Sequence, residues 1–310
     1  MRQKTTMGVR PRWFFAIALF GILGAQLFAQ QKGVFSLSDS VLLFLQPTSK
    51  VLLATGTNEA VLNLPMPPSP LSYPSLAPDG SRVAIGVVSN DASVPRRFTL
   101  GVLSVKHQEW KTYGDFEAIG VPAFSPDGAR VAFAAEQGAR KRAFLILDTS
   151  SGETTPVVPL GTVVERAGLG WSPDGRRLVV EMQKDDEPPV VAIFDFTTTQ
   201  VNVIAKGVDP VWSPTGEWIA YSDESRQRCI LVHPDGTGMK VVSNLSRKLL
   251  GYRLIFYGAV WSPDGSRLLL SEMKGEGPSL DVTLVDLRTG GITTKSRNGL
   301  GVFGWAREKR

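Results

Sequence analysis

The chain has 310 residues, 43% of them hydrophobic and 9% aromatic, enough for a large core and unlike a disordered polar chain. Its formal charge is +5, but Arg2, Lys4, Arg10 and Arg12 supply four of those charges; five minus four leaves +1 for the rest, with no basic footprint for nucleic acid. Cys229 is the only cysteine, which excludes an intramolecular disulfide.

The N-terminus reads as a targeting segment. The four basic residues precede an apolar run from Trp13 to Gly24, and Ala25-Gln26-Leu27-Phe28-Ala29 follows. This pattern predicts a secretory signal over 1–29, cleaved after Ala29. The alternative is an uncleaved anchor, since residues 13–29 reach the lower edge of a membrane span. No cysteine lies near the site, so a lipoprotein anchor is excluded. Secretion without disulfides fits a bacterial periplasmic protein.

Beyond the signal, Val41 to Leu45, Val51 to Ala54 and Val61 to Leu64 read as three short strands of an incomplete unit. Pro65-Met66-Pro67-Pro68-Ser69-Pro70 is a stiff linker. Then a repeated text begins. Its copies are Leu76-Ala77-Pro78-Asp79-Gly80-Ser81-Arg82, Phe124-Ser125-Pro126-Asp127-Gly128-Ala129-Arg130, Trp171-Ser172-Pro173-Asp174-Gly175-Arg176-Arg177, Trp212-Ser213-Pro214-Thr215-Gly216-Glu217-Trp218 and Trp261-Ser262-Pro263-Asp264-Gly265-Ser266-Arg267. Phe35-Ser36 and Trp305-Ala306 are worn copies at the two ends. The anchors lie 41, 48, 47, 41, 49 and 44 residues apart. Proline presets φ in the turn, Asp suits the next position, and Gly relieves the chain after it. A short apolar segment precedes each turn and a Val/Leu/Ile run follows, so each copy is strand, tight turn, strand. A second strand pair follows in each unit, such as Ala143 to Leu147 and Glu153 to Val158.

Four strands per repeat of this length predict an all-β, six-bladed β-propeller of four-stranded antiparallel blades over 30–310. Successive blades start near Tyr73, Val121, Gly168, Asp209 and Gly258. The leftover strand near 301–305 is expected to close the ring on the first blade, with Phe35-Ser36 as the competing candidate. Closure removes exposed strand edges, so a monomer is expected.

The ring residue, the Ser-Pro-Asp-Gly turn and the β-rich run after it resemble the WD40-like propeller repeat of the TolB family. The match covers residues 73 to about 305. It implies a six-bladed propeller, a periplasmic location and a protein or envelope partner, with the Tol–Pal machinery as the partner class. The chain departs from that family in lacking room for its α/β domain between the signal and the propeller. Similar propellers precede the catalytic domain of prolyl-oligopeptidase-type peptidases, so fold alone does not fix function.

Catalytic patterns are sparse. No Gly-x-Ser-x-Gly elbow occurs, and Ser172 is a repeat residue. His107 and His233 sit in separate turns, and with one cysteine they do not make a zinc site. Asp185-Asp186-Glu187 lacks the spacing of a calcium loop. No catalytic residue, metal or cofactor is therefore expected, and the protein reads as a non-enzymatic binding propeller. The alternatives are a stand-alone relative of a peptidase gating propeller, or a hydrolase or lyase using channel-mouth carboxylates.

Candidate partner-binding residues are Glu165 and Arg166, Asp209, and Tyr252, Arg253 and Phe256 in the apolar link from Asn244 to Tyr257, because aromatics and Arg dominate binding hot spots. A structural expectation concerns Asp79, Asp127, Asp174 and Asp264. Each has Arg three residues on (Arg82, Arg130, Arg177 and Arg267), while Thr215 is followed by Trp218. This covariation predicts a carboxylate–guanidinium contact across each of the four turns.

Overall fold

The computed structural model describes residues 40–45, 51–55, 61–65, 73–89, 97–136, 142–160, 168–183, 187–244, 254–274, 280–296 and 301–307. The predicted signal, Phe35-Ser36, Asp185-Asp186, Glu165, Arg166, Tyr252 and Arg253 lie outside them.

The first blade holds β1 (Ser40–Leu45), β2 (Val51–Thr55) and β3 (Val61–Leu64). The second holds β4 (Ser75–Leu76), β5 (Arg82–Val88), β6 (Phe98–Ser104) and β7 (Glu109–Phe116). In the third, the inner strand is split into β8 (Ala118–Ile119) and β9 (Ala123–Phe124), followed by β10 (Arg130–Glu136), β11 (Arg142–Asp148) and β12 (Thr154–Leu160). The fourth has β13 (Leu169–Trp171), β14 (Arg177–Met182), β15 (Val190–Asp195) and β16 (Val201–Lys206). The fifth has β17 (Val208–Trp212), β18 (Ile219–Ser222), β19 (Arg228–Val232) and β20 (Lys240–Asn244). The sixth has β21 (Leu254–Trp261), β22 (Arg267–Lys274), β23 (Leu280–Asp286) and β24 (Gly291–Ser296), and the chain returns in β25 (Gly301–Arg307).

The described strands form six antiparallel sheets. β25 is the inner strand of the first, in the order β25-β1-β2-β3, with Val41 opposite Ala306 and Leu42 opposite Trp305. Inner strands touch in a closed circle, β25 to β4, β4 to β9, β9 to β13, β13 to β17, β17 to β21 and β21 back to β25. This all-β architecture of four-stranded blades agrees with the expected propeller, and the C-terminal strand takes the closing place.

The core lies between blades, and strand alternation explains it. Val131, Phe133 and Ala135 face the second blade, while Ala132 and Ala134 face the fourth. Val179 packs toward the fifth blade, and Leu178 and Val180 toward the third. Both faces of each middle strand are thus buried, so these strands read as continuous apolar runs rather than alternating ones. Cys229 is buried in the cluster between the fifth and sixth blades, as its strand setting predicts.

The repeated turn is a small network. In the third blade Gly128 N–H donates to Ser125 O at 2.8 Å, with Gly128 at φ 71, the left-handed region that suits glycine. Ser125 Oγ donates to Asp127 at 2.5 Å and accepts from Arg130 N–H at 2.9 Å. Asp127 also accepts from Ala129 N–H. Ser172 with Asp174 and Ser262 with Asp264 repeat the pattern. In the first copy Ala77 stands where these have Ser, and Asp79 accepts from Ser81 instead.

Two expectations are corrected. Leu254 to Tyr257 belong to β21, paired through Leu254 with Lys274 and Phe256 with Glu272, and are not part of a loop. An apolar aromatic and β-branched run fits a pleated strand better than a link. Second, Asp127, Asp174 and Asp264 form no ion pair with the Arg three residues on. Each Asp is taken by its own Ser and backbone, and the guanidinium goes elsewhere. Arg82 donates to Gly128 O at 2.6 Å and to Thr149 Oγ1 at 2.7 Å, and lies over the Phe124 ring. Arg130 lies 4.7 Å over Trp171, and Arg177 lies 4.9 Å over Trp212. Each reaches the next blade. Arg267 pairs with Asp286 of its own blade.

Candidate functional site: the central channel

The inner strands enclose a cavity of about 560 Å³ lined by all six blades. Three levels can be followed along it by counting from each repeat's anchor residue. At the turn end stand Pro78, Pro126, Pro173, Pro214 and Pro263, with Arg307 in the sixth place. The correspondence follows from Trp305-Ala306-Arg307 aligning with Trp261-Ser262-Pro263. The middle level carries the anchors, among them Phe124, Trp171, Trp212, Trp261 and Trp305. Three residues before each anchor lies the opposite end, made of Tyr73, Val121, Gly168, Asp209, Gly258 and Val302.

Asp209 and Arg307 are the charged residues in this lining. They sit at opposite ends. Asp209 lies in a bulge of β17, where the register shifts between Val208 and Val211, and its φ is 53. Asp tolerates that left-handed conformation better than most residues, and bulges re-aim side chains. Its carboxylate forms an ion pair with Arg226, in the turn between β18 and β19. A Cβ added at Gly168 would lie 2.7 Å from the Asp209 Cα, so only glycine lets the fourth blade approach this closely.

Glu181 of β14 sits behind this contact and is 2% exposed. Its Oε2 accepts from Asp209 N–H at 2.9 Å and, at 3.5 Å, from Gly168 N–H. Burial pushes the Glu181 carboxyl up to about 7; the Asp209 N–H bond opposes this, the Asp209 charge adds to it, and Arg226 opposes it. The corresponding side chain of the sixth blade is Ser271. Its Oγ accepts from Val302 N–H at 3.0 Å and donates to Val302 O at 3.1 Å. The same slot on the strand after the turn thus ties each of these two blades to the next.

The tryptophan N–H groups report on the seams at the middle level. Trp171 Nε1 donates to Ala123 O at 3.1 Å and Trp261 Nε1 to Val211 O at 3.3 Å, each in the preceding blade. Trp212 Nε1 donates to Gly216 O of its own turn. Trp305 Nε1, on the closing strand, is buried and has no hydrogen-bond partner among the described residues.

Of the sequence candidates, the structure places Asp209 in the channel lining and Phe256 in β21. Sequence reading passed over Glu181, Arg226 and Arg307. Two of these were available from in-register comparison. Four residues after the repeat's Arg or Trp stand Gly86, Ala134, Glu181, Ser222 and Ser271, so a carboxylate there is anomalous. Arg307 stands where other copies have Pro. Arg226 carries no such signal.

No protein-family profile matches the chain. A protein TolB homolog from Chlorobium luteolum (strain DSM 273 / BCRC 81028 / 2530) is 32% identical over 122 residues, which is 38% of this chain and 26% of the homolog. The matched part thus spans about a quarter of that relative's length. Among solved structures, TolB from Acinetobacter baumannii superposes with a TM-score of 0.67 at 15% identity, over 90% of this chain and 70% of that one. An oligogalacturonate lyase in complex with manganese superposes with a TM-score of 0.52 at 17% identity, over 85% of this chain and 75% of the lyase. The repeat text, the closed circle of inner strands and these likenesses agree: the chain is a TolB-like β-propeller.

Proposed function

We propose that the protein is a non-enzymatic propeller of the bacterial periplasm that binds a protein or envelope component at its central channel. The observation that carries this reading is the channel lining: mostly prolines, aromatics, glycines and small apolar residues, with Asp209 already paired to Arg226 and Arg307 standing apart from it at the turn end. Such a surface recognises shape and apolar area, whereas catalysis asks for convergent polar groups open to a substrate. The TolB likeness supports the same class of partner, and the basic, then apolar, N-terminal sequence supports export. Glu165, Arg166, Tyr252, Arg253 and Phe256 are proposed, from the sequence, as further partner-binding residues.

A second reading has one observation behind it. Glu181 and Asp209 are neighbouring carboxyl groups, one poised near neutral pH, on a fold that also serves a lyase. Against it, Glu181 is sealed from the channel and its oxygen is committed to backbone N–H groups.

The experiment runs both arms on the purified protein. One arm measures retention of envelope proteins by wild type, by Asp209→Asn and by the triple change of Tyr252, Arg253 and Phe256 to Ala. The other assays oligogalacturonate with manganese, a chromogenic ester and a peptide. A specific partner lost on substitution at an unchanged melting temperature, with no turnover, is the expected result. Turnover abolished by Glu181→Gln would replace the proposal with the second reading.

A further inference from the structure

The two ends of the channel differ in charge. At the Asp209 end the carboxylate is neutralised by Arg226. At the turn end the five prolines present no charge, and the Asp and Arg residues of the turns face their own turns or the next blade rather than the lining. Arg307 is the exception. It is exposed, it lines the cavity, and while its backbone pairs with Ser40 in the first blade, its side chain makes no ion pair or hydrogen bond with the described residues. An unpaired guanidinium at the mouth of an apolar cavity favours one chemistry, an anionic planar group attached to an apolar body. We infer that this mouth of the channel captures the C-terminal carboxylate of an apolar peptide segment, with Arg307 as the carboxylate-binding residue.

The inference rests on the channel being the binding site, as proposed above. Its size supports a short segment rather than a lone ion, because cavities of about 300–1,000 Å³ enclose drug-sized molecules. Stiff prolines around the mouth form a preformed rim that loses little entropy on binding. Arg offers two parallel N–H donors, which match a carboxylate and not an amide.

The test uses calorimetric titration of the whole protein with an acetylated Leu-Phe-Val tripeptide as the free acid and as the C-terminal amide. Phenylacetate serves as a small carboxylate control. The free acid is expected to bind about tenfold or more tighter than the amide, the yield of a charge-assisted hydrogen bond. Arg307→Gln should remove that preference, and Arg307→Lys should keep part of it. Because Arg307 is exposed, both variants should melt as the wild type does. Equal affinity for acid and amide, no binding of either, or a preference that survives Arg307→Gln would overturn the inference. Phenylacetate binding as tightly as the tripeptide would overturn the peptide as its source. If envelope partners are still retained by Arg307→Gln, the binding function stands and only the carboxylate site falls.

Discussion

The seam between the fourth and fifth blades and the seam between the sixth and first use one slot in two ways. Ser271 meets Val302 through both its hydroxyl proton and its lone pairs, and it does so at any pH. Glu181 meets Asp209 N–H through a carboxyl group buried beside a second carboxylate. A serine is sufficient to tie neighbouring blades. The glutamate therefore adds something that blade packing does not require, namely a dependence on protonation. This seam also carries the charged residue of the channel's Asp209 end, while the other charged lining residue, Arg307, stands at the turn end on β25.

The largest effect should come from removing the closing strand. A chain ending before Gly301 loses β25, which leaves the first blade without its inner strand and takes the Ser271 bond with it. The expected loss is most of the stability of a typical domain, about 5 kcal/mol or more, read as a collapsed melting temperature. Melting like the full chain would mean that another segment closes the ring.

Next comes pH. Glu181 has a folded pKa of about 7, above its ordinary value of 4.5. Its proton therefore favours the folded state fully below about pH 4.5, and that contribution is lost as pH rises to about 7. The size is on the order of 3 kcal/mol at one pKa unit per 1.36 kcal/mol. Glu181→Gln should flatten stability over that window and raise it at pH 8, since the amide oxygen still accepts from Asp209 N–H. An unchanged pH profile would show that the carboxyl is not buried as described. The turn carboxylates work in the opposite direction. Ser262 holds Asp264 down at about 2, so its share of stability is lost only as pH falls from about 4 toward 2.

Ser271→Ala should cost about 1–3 kcal/mol, because it leaves Val302 N–H and C=O without their buried partner. Unlike the Glu181 effect, this loss should be the same at pH 5 and pH 8, and a pH-dependent loss would break the contrast between the two seams. The smallest change is Arg177→Leu, which removes a cation held over Trp212 and should cost about 0.5–1 kcal/mol.

The sequence makes the architecture readable because the turn has strict local chemistry. Proline, Asp and Gly each satisfy a backbone demand at a fixed offset, and the anchor residues repeat in register. What escaped were contacts between blades. Asp127 and Arg130 lie close in sequence, so covariation points to a contact within the turn; yet Asp is used up by Ser125 and Ala129 N–H, and Arg130 is freed for Trp171. Leu254 to Tyr257 looked like a link because they precede the repeat's usual inner strand, but β21 extends back through them. Of the candidate binding residues, Asp209 was legible as a lone charge among apolar inner strands. Its partners Glu181 and Arg226 come from another blade and another turn, and only tertiary packing brings them to it.

The central claim is that the channel itself is where a partner binds. Val121 lines it from the third blade, is half-buried, and is not part of the described core clusters on either side of that blade. Val121→Trp should fill part of the cavity without entering those clusters. Retention of envelope partners by this variant, compared with wild type at matched melting temperature, is the most direct measurement. Loss of the partner with the ring intact is the predicted result. Full retention by a folded, plugged propeller would contradict the account and move the binding site to its outer surface.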